Sequence, residues 1–135
     1  ADSAIAVQAD LTQARECAML IEKVQDEWQR LDALINNASQ FYPTPIFQID
    51  ENKQQKDWQS LFQINLYAPL YLSQLAYSSL KQSKGTIVNI TDIHAEQPMR
   101  EYGIYSLTKA GLHHLTLLLA KEFAPDIRVN AVAPG

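Results

Sequence analysis

Residues 85–109 read GTIVNITDIHAEQPMREYGIYSLTK and contain the three features that decide the fold. An apolar run rich in branched residues, 85–90, is typical of a buried strand. A polar loop follows over 91–102, and a helical pattern begins at 103 and continues to Phe123. A strand, a loop and a helix in this order predict one unit of an α/β fold with a parallel sheet.

The same alternation extends in both directions from this unit. The predicted strands are residues 4–9, 33–35, 85–90 and 127–132, and the predicted helices are residues 13–30, 54–81 and 103–123. Thr12 is expected to cap the first helix, and Pro69 is expected to bend or divide the second because proline removes a backbone donor. We therefore predict a Rossmann-like, doubly wound parallel sheet in three layers, as a single partial domain over residues 1–135.

Composition limits the class of protein. Of the 135 residues, 47% are hydrophobic and 19% are charged, which is enough for one core. Acidic residues outnumber basic ones by 15 to 11 and no basic stripe is present, so nucleic acid is not expected as a partner. There is no apolar run of about 18 residues and no signal peptide, so we expect no membrane partner. The single Cys17 indicates a reducing, cytoplasmic location.

The most specific motif is Tyr105-x-x-x-Lys109 at the start of a predicted helix. Side chains with this spacing lie on one helix face, so the ammonium is expected beside the phenol. A nearby cation lowers the pKa of a tyrosine from about 10 toward the range of proton transfer near neutral pH. An isolated pair of this kind is more often structural. Its position after a strand and a loop that contains Asp92 favours a catalytic interpretation.

Several features occur in an order that resembles the short-chain dehydrogenase/reductase family. They are Asn36-Asn37-Ala38 at a strand end, Asn65 in the next helix, Tyr105 with Lys109, and Pro134-Gly135 after the last strand. The resemblance covers the whole chain. It implies that Tyr105 is the catalytic acid/base, that Lys109 lowers its pKa and holds the nicotinamide ribose, and that Asn65 supports a proton-relaying water. Without the family, Asn65 is interpreted as a satisfied polar residue of a helix.

The resemblance also implies a nicotinamide cofactor, which we take as NADPH, at the carboxyl ends of the strands. The residues expected to line it are Asp10, Leu11, Asn36, Ala38, Ser39, Tyr105, Lys109, Pro134 and Gly135. Asp10 is the one expected at the adenine. Without the family, Asp10 is a helix-start residue and the asparagine pair forms a turn. The family's Gly-rich phosphate loop is absent from this chain, which begins without Met, so we expect a fragment of a longer polypeptide.

Two departures from the usual family pattern resemble the pteridine reductases. Asp92 stands thirteen residues before the catalytic Tyr, where most members have Ser, and Ser39 follows Asn-Asn-Ala, where most have Gly. In that group the Asp and Tyr form the proton-donating pair, and an aromatic residue, here Phe41, stacks the pterin against the nicotinamide. The residues expected to contact substrate are Ser39, Phe41, Asp92 and Tyr105. The alternatives are that Phe41 belongs to the core and that Asp92 caps a loop.

These observations predict an NADPH-dependent reductase of a pterin or folate substrate. The alternatives are a general carbonyl or 3-oxoacyl reductase of the same family, and a family member without catalysis that serves as a binding module. His94 is an alternative substrate contact, whereas His113 and His114 lack a third ligand at metal-like spacing, so no metal is expected. Helices 54–81 and 103–123 carry more apolar residues than one core-facing stripe needs, which predicts a homo-oligomer, as a tetramer by resemblance.

Overall fold

The computed structural model describes residues 4–47 and 50–135. The helices are α1 (Ala14–Trp28), α2 (Glu51–Phe62), α3 (Ala68–Ser83) and α4 (Gly103–Phe123), and the strands are β1 (Ala33–Asn36), β2 (Thr86–Ile90) and β3 (Arg128–Val132). A π-helical turn (Gln63–Tyr67) joins α2 to α3, and a short 3-10 helix (Ile93–Ala95) follows β2. The predicted α/β class is confirmed.

The three described strands form one parallel sheet in the order β1-β2-β3. The register places Asn36 beside Asn89 and Ile90 beside Val132, so the carboxyl ends of the strands share one edge. Parallel neighbours require a crossover, and α2 with α3 makes the first while α4 makes the second. Ligands of doubly wound folds bind at this carboxyl edge.

The main core lies between the sheet and helices α3 and α4. Ile87, at the centre of β2, is fully buried and packs in one cluster with Leu80 of α3 and Leu112 of α4. Burying one large aliphatic side chain contributes about 1.5–3 kcal/mol, so this cluster fixes α4 against β2. The amino-terminal turn of α4, which carries Tyr105, is thereby held near the carboxyl end of β2.

The long helix predicted over 54–81 is divided, as Pro69 predicts. Its first part begins earlier, at Glu51, because the carboxylate of Asp50 accepts a hydrogen bond from the backbone N–H of Lys53 and caps the helix. Pro69 lies at the start of α3, where a missing N–H costs least. The π-helical turn just before it contains the buried Asn65.

Two predictions near the start of the chain are wrong. Residues 4–9 form no strand, because no strand in the described part of the chain runs beside them to pair their backbone groups. Thr12 does not cap α1: the residue at the cap position is Gln13, without a side-chain hydrogen bond, and the Thr12 hydroxyl donates to Asp10 instead. Both predictions relied on local pattern where tertiary partners decide the outcome.

Among the described residues, no helix combines the length and apolar character needed to cross a membrane. Cys17 is buried and forms no disulfide. The cytoplasmic location stays a prediction.

Candidate active site

The carboxyl end of β2 and the first turn of α4 bring Asp92 and Tyr105 together. The Tyr105 hydroxyl donates a hydrogen bond to Oδ2 of Asp92 at 2.5 Å. The other carboxylate oxygen accepts from the backbone N–H of His94 at 2.8 Å and caps the short 3-10 helix. Tyr105 is only 4% exposed. The loop-cap interpretation of Asp92 and its pairing with Tyr105 are therefore both correct.

The proton of this pair resides on Tyr105. Burial, the hydrogen bond to Asp92 and the charge of Asp92 raise the pKa of Tyr105 well above its usual range. Burial opposes ionisation of Asp92, but the hydrogen bonds from Tyr105 and from the His94 N–H, with the charges of His94 and Lys109, hold the pKa of Asp92 below its ordinary value. Near neutral pH the pair is a neutral phenol that donates to a carboxylate.

The upward shift of the Tyr105 pKa is opposite to the direction expected from Lys109. The ammonium of Lys109 does not reverse this shift, because it lies over the tyrosine ring, 5.7 Å from the centroid, and donates to the carbonyl of Ile90 at 3.1 Å. The depressed pKa of Asp92 keeps its carboxylate ionised. Burial lowers the pKa of Lys109 itself, and the charge of Asp92 opposes that change. An anion in direct hydrogen-bond contact outweighs the more distant cation.

Asn65 joins the loop after β1 to helix α4. Its amide nitrogen donates to the carbonyl of Gln40 at 2.9 Å and to the hydroxyl of Thr108 at 3.0 Å. Its amide oxygen accepts from the hydroxyl of Ser39 at 3.1 Å and from the backbone N–H of Gln40 at 2.8 Å. A primary amide has two donors and two acceptor positions, and all of them are used here. The side chain therefore ties the loop to α4, and the support of a proton-relaying water by Asn65 stays a prediction.

Phe41 lies beside the Tyr105–Asp92 pair in an aromatic group. Its ring stacks on Tyr102, with 4.5 Å between centroids and an interplanar angle of 11°, and meets Tyr105 edge-on at 4.8 Å. Phe41 is 54% exposed, so the interpretation of this residue as core is wrong. Because only one face of its ring is covered by Tyr102, the other can stack on a flat ligand.

Some of the residues predicted to line a cofactor lie along one apolar cleft. Leu11, Asn36 and Ala38 line this cleft, whose volume is about 380 Å³, together with Val7 and Ile35. Asp10 is directed elsewhere, because its carboxylate accepts from the backbone N–H of Thr12 at 2.9 Å and from the Thr12 hydroxyl at 2.8 Å. Leu11 therefore lines the cleft, whereas Asp10 does not.

The last two predicted cofactor residues lie next to the Asp92 loop. The carbonyl of Pro134 accepts from the backbone N–H of Ile93 at 3.2 Å. Gly135 lies against the side chain of Ile93, where an added Cβ would make ordinary contact at 3.4 Å. Both residues therefore lie at the same sheet edge as Asp92.

One side-chain atom of Asn36 has no hydrogen-bond partner among the described residues. Its amide nitrogen donates to Oδ1 of Asn89 at 2.8 Å, and Asn89 donates in turn to the hydroxyl of Thr116 at 3.0 Å. Its own oxygen is buried and accepts no hydrogen bond from the described residues. A buried acceptor without a donor costs about 1–3 kcal/mol. A donor N–H or O–H from a group outside the described residues would offset this cost, and a nicotinamide dinucleotide carries both kinds of donor.

The site also contains residues that the sequence did not indicate. Asn89 lies inside the apolar run of β2, and a polar residue within such a run was the available signal. Thr44 and Tyr102 gave no such signal, because they meet only through a short parallel bridge between distant loops. The Thr44 hydroxyl accepts from a backbone group 60 residues away in the chain. Spacing along the sequence does not report contacts of this kind.

The histidines lie at or outside the edge of the site. The ring Nδ1 of His94 is 2.9 Å from the carbonyl of Gln97, within the loop that begins at Asp92. His113 and His114 lie in the middle of α4, away from its first turn. Within residues 4–47 and 50–135 there is no group of three side chains arranged to hold a metal ion.

Comparison with known proteins identifies the family. A family model described as short chain dehydrogenase matches residues 1–135. The chain belongs to the short-chain dehydrogenase/reductase family.

Among curated relatives, an uncharacterized oxidoreductase of Methylorubrum extorquens is 35% identical over 133 residues, which cover 98% of this chain and 52% of the relative. An uncharacterized oxidoreductase of Staphylococcus aureus strain USA300 is 35% identical over 138 residues, covering 99% and 57%. Pteridine reductase 1 of Leishmania tarentolae is 34% identical over 169 residues, covering 99% and 58%. The chain spans about half the length of the curated relatives it matches.

Solved structures confirm the Rossmann-like fold. A short-chain dehydrogenase from Streptomyces avermitilis matches with a TM-score of 0.88 and 28% identity, over 99% of this chain and 49% of that one. An apo SCOR enzyme from Clostridium thermocellum matches with a TM-score of 0.86 and 29% identity, over 96% and 51%.

Proposed function

We propose that this chain is the catalytic part of a nicotinamide-dependent reductase that acts on a pterin. The observation that most supports this proposal is the hydrogen bond between Tyr105 and Asp92, which lies beside the exposed ring of Phe41. These three side chains offer a proton donor, a negative charge and a stacking surface at one place. The similarity to pteridine reductase 1 supports the proposal.

Tyr105 is the proton donor in this reaction. When bound, NADPH supplies a hydride to a ring carbon of the substrate, and the Tyr105 phenol gives its proton to the neighbouring ring nitrogen. The phenolate that remains lies next to the Asp92 carboxylate, and the ammonium of Lys109 over the same ring offsets the added negative charge. Tyr105 then regains a proton from solvent.

Lys109 and the cleft residues are suited to hold the cofactor. The ammonium has three donors, and the carbonyl of Ile90 takes one of them, so donors remain for ribose hydroxyls. Asn36 lines the cleft, and its buried amide oxygen accepts no hydrogen bond from the described residues. The choice of NADPH over NADH rests on the resemblance to pteridine reductases.

Asp92 favours a pterin over a ketone. A carboxylate stabilises a protonated ring nitrogen, and a protonated pterin is a better hydride acceptor. A ketone oxygen becomes negative as hydride arrives, so an adjacent carboxylate opposes its reduction. The Ser that most family members have at this position is neutral and lacks this discrimination.

A carbonyl or 3-oxoacyl reductase is the second candidate, because a protonated Tyr105 is also the donor that a carbonyl oxygen needs. The native protein that contains this chain is assayed with a dihydropterin and a 3-oxoacyl thioester, each with NADPH and NADH. We expect turnover of the dihydropterin with NADPH. Turnover of the thioester alone would establish the second candidate, and turnover of neither would favour a binding module.

We also propose that α2, α3 and α4 form an interface between copies in a homotetramer. The π-helical turn and α4 carry exposed apolar side chains, namely Tyr67, Leu107, Leu117 and Leu118. Sedimentation of the native protein at micromolar concentration is expected to show an oligomer, and Leu118→Lys is expected to dissociate it. A monomeric native protein would contradict this proposal.

A further inference from the structure

The catalytic helix α4 begins without a local cap. The first N–H groups of a helix have no partner within the helix and need one from elsewhere. At the cap position Tyr102 has backbone angles of φ −116 and ψ 40, and its side chain makes no capping hydrogen bond. Tyr105 lies in the first turn of α4, whose backbone N–H groups therefore have no local cap.

Thr44, from the loop after β1, supplies the missing acceptor. Its hydroxyl oxygen accepts from the backbone N–H of Ile104 at 3.2 Å, which is the bond that a local cap residue normally makes. Its own backbone N–H donates to the carbonyl of Glu101 at 2.6 Å. Thr44 is 0% exposed and Ile104 is 2% exposed, so solvent does not readily replace this contact.

The loop and the helix start are packed closely around this contact. A Cβ at Gly103 would lie 2.5 Å from Cγ1 of Ile46, so the approach of the loop depends on glycine at this position. Ile104 also packs with Leu61 and Tyr105 in an apolar cluster. A shift of the loop is therefore transmitted to the first turn of α4.

We propose that Thr44 is a positioning residue, which caps α4 across the two loops and sets the position of Tyr105 relative to Asp92 and Phe41. This inference rests on the proposed function, since it concerns the proton donor. Phe41 precedes Thr44 in the same loop and stacks on Tyr102, and Tyr102 itself forms a short bridge with Thr44. One hydroxyl thus fixes the stacking surface and the proton donor in one arrangement.

The test compares Thr44→Val with Thr44→Ser in the native protein that contains this chain. Valine keeps the shape but removes the acceptor, so kcat is expected to fall about 10-fold or more, because small misplacements of reacting groups have effects of up to about 10². Serine restores the hydroxyl and is expected to stay within about 3-fold of the unmodified protein. Thr86→Val is the matched control, since the Thr86 hydroxyl bonds Arg128 at the other end of β2.

The pH profile separates positioning from loss of folded protein. If Thr44→Val moves Tyr105 away from Asp92, the pKa of Tyr105 falls and the alkaline limb of kcat shifts to lower pH. A variant that only reduces the amount of folded protein would lower kcat without moving the limb. Unchanged kcat and an unchanged limb in Thr44→Val would overturn the proposal.

Amide hydrogen exchange at Ile104 gives a readout that does not depend on activity. In the unmodified protein this N–H is expected to be protected, although it lies in the first turn of a helix, where amides are usually open. Exchange as fast as in an unstructured peptide would overturn the cap even if Thr44→Val did not fold. Absence of any reductase activity in the unmodified protein would contradict the proposed function instead, and the exchange result would still decide on the cap.

Discussion

The central strand β2 and the edge strand β1 differ in how completely their side chains are packed. On the β2 side, which we call the closed side, Ile87 is fully buried, and Asp92 and Tyr105 bond to each other beyond the end of the strand. On the β1 side, the open side, Ile35 is 62% exposed and lines an apolar cleft with Val7. The proposed proton donor therefore lies on the closed side, while the open side presents apolar surface to which another group can bind.

Removal of the proton donor is expected to have the largest effect on the closed side. Tyr105→Phe keeps the ring but removes the phenol hydroxyl, so reduction is expected to fall by roughly 10² to 10⁴. Steady-state turnover measures this. Tyr77→Phe is the matched control, since Tyr77 packs on Phe123 away from the site. Turnover near that of the unmodified protein in Tyr105→Phe would show that the closed side does not hold the donor.

Substitutions to alanine on the two sides are expected to lower the free energy of unfolding by different amounts. Ile87→Ala removes a fully buried side chain and is expected to lower the free energy of unfolding by about 2–5 kcal/mol. Ile35→Ala removes a mostly exposed one and is expected to cost less than about 1 kcal/mol in the 135-residue chain. Denaturant unfolding of both variants measures the difference. Equal losses of unfolding free energy in the two variants would mean that the two sides are equally well packed.

The open side is also expected to bind NADPH weakly in the 135-residue chain alone. The chain has four glycines, at 85, 103, 111 and 135, and none of them forms the Gly-rich turn that holds dinucleotide phosphates. We expect binding at least about 10-fold weaker than micromolar in a fluorescence titration. Micromolar binding would show that the cleft beside β1 holds the cofactor without such a turn.

The features that could be predicted from the sequence are those that depend on the local pattern of residues. The bounds of α4 agree with the prediction because Pro125 follows directly and ends the helical pattern at Phe123. The strand over 4–9 was wrong because a strand exists only beside a partner. The upward shift of the Tyr105 pKa was not predicted because it depends on a distance to Asp92 that is set by packing. The saturated amide of Asn65 likewise depends on partners that periodicity does not reveal.

The smallest expected effect is on stability in acid. The hydrogen bonds from Tyr105 and from the His94 N–H hold the pKa of Asp92 in the folded chain below its ordinary value, so its ionised form stabilises the fold above that ordinary value. This contribution is lost as the pH falls through the folded pKa. Asp92→Asn lacks the titrating group, so its unfolding free energy is expected to approach that of the unmodified chain as the pH falls through the folded pKa of Asp92. A constant difference from pH 7 to pH 2 would contradict this.

The most direct test of the central claim is the pH dependence of pterin reduction by Asp92→Asn in the native protein that contains this chain. Loss of the carboxylate is expected to lower pterin turnover by roughly 10² or more, with little change in cofactor binding. It also removes the negative charge, one of the causes that raise the pKa of Tyr105, so the alkaline limb is expected to move to lower pH. Asp92→Ser is expected not to restore pterin reduction, although its neutral hydroxyl suits a ketone. Pterin turnover near that of the unmodified protein, with an unchanged pH profile, would remove Asp92 from the mechanism.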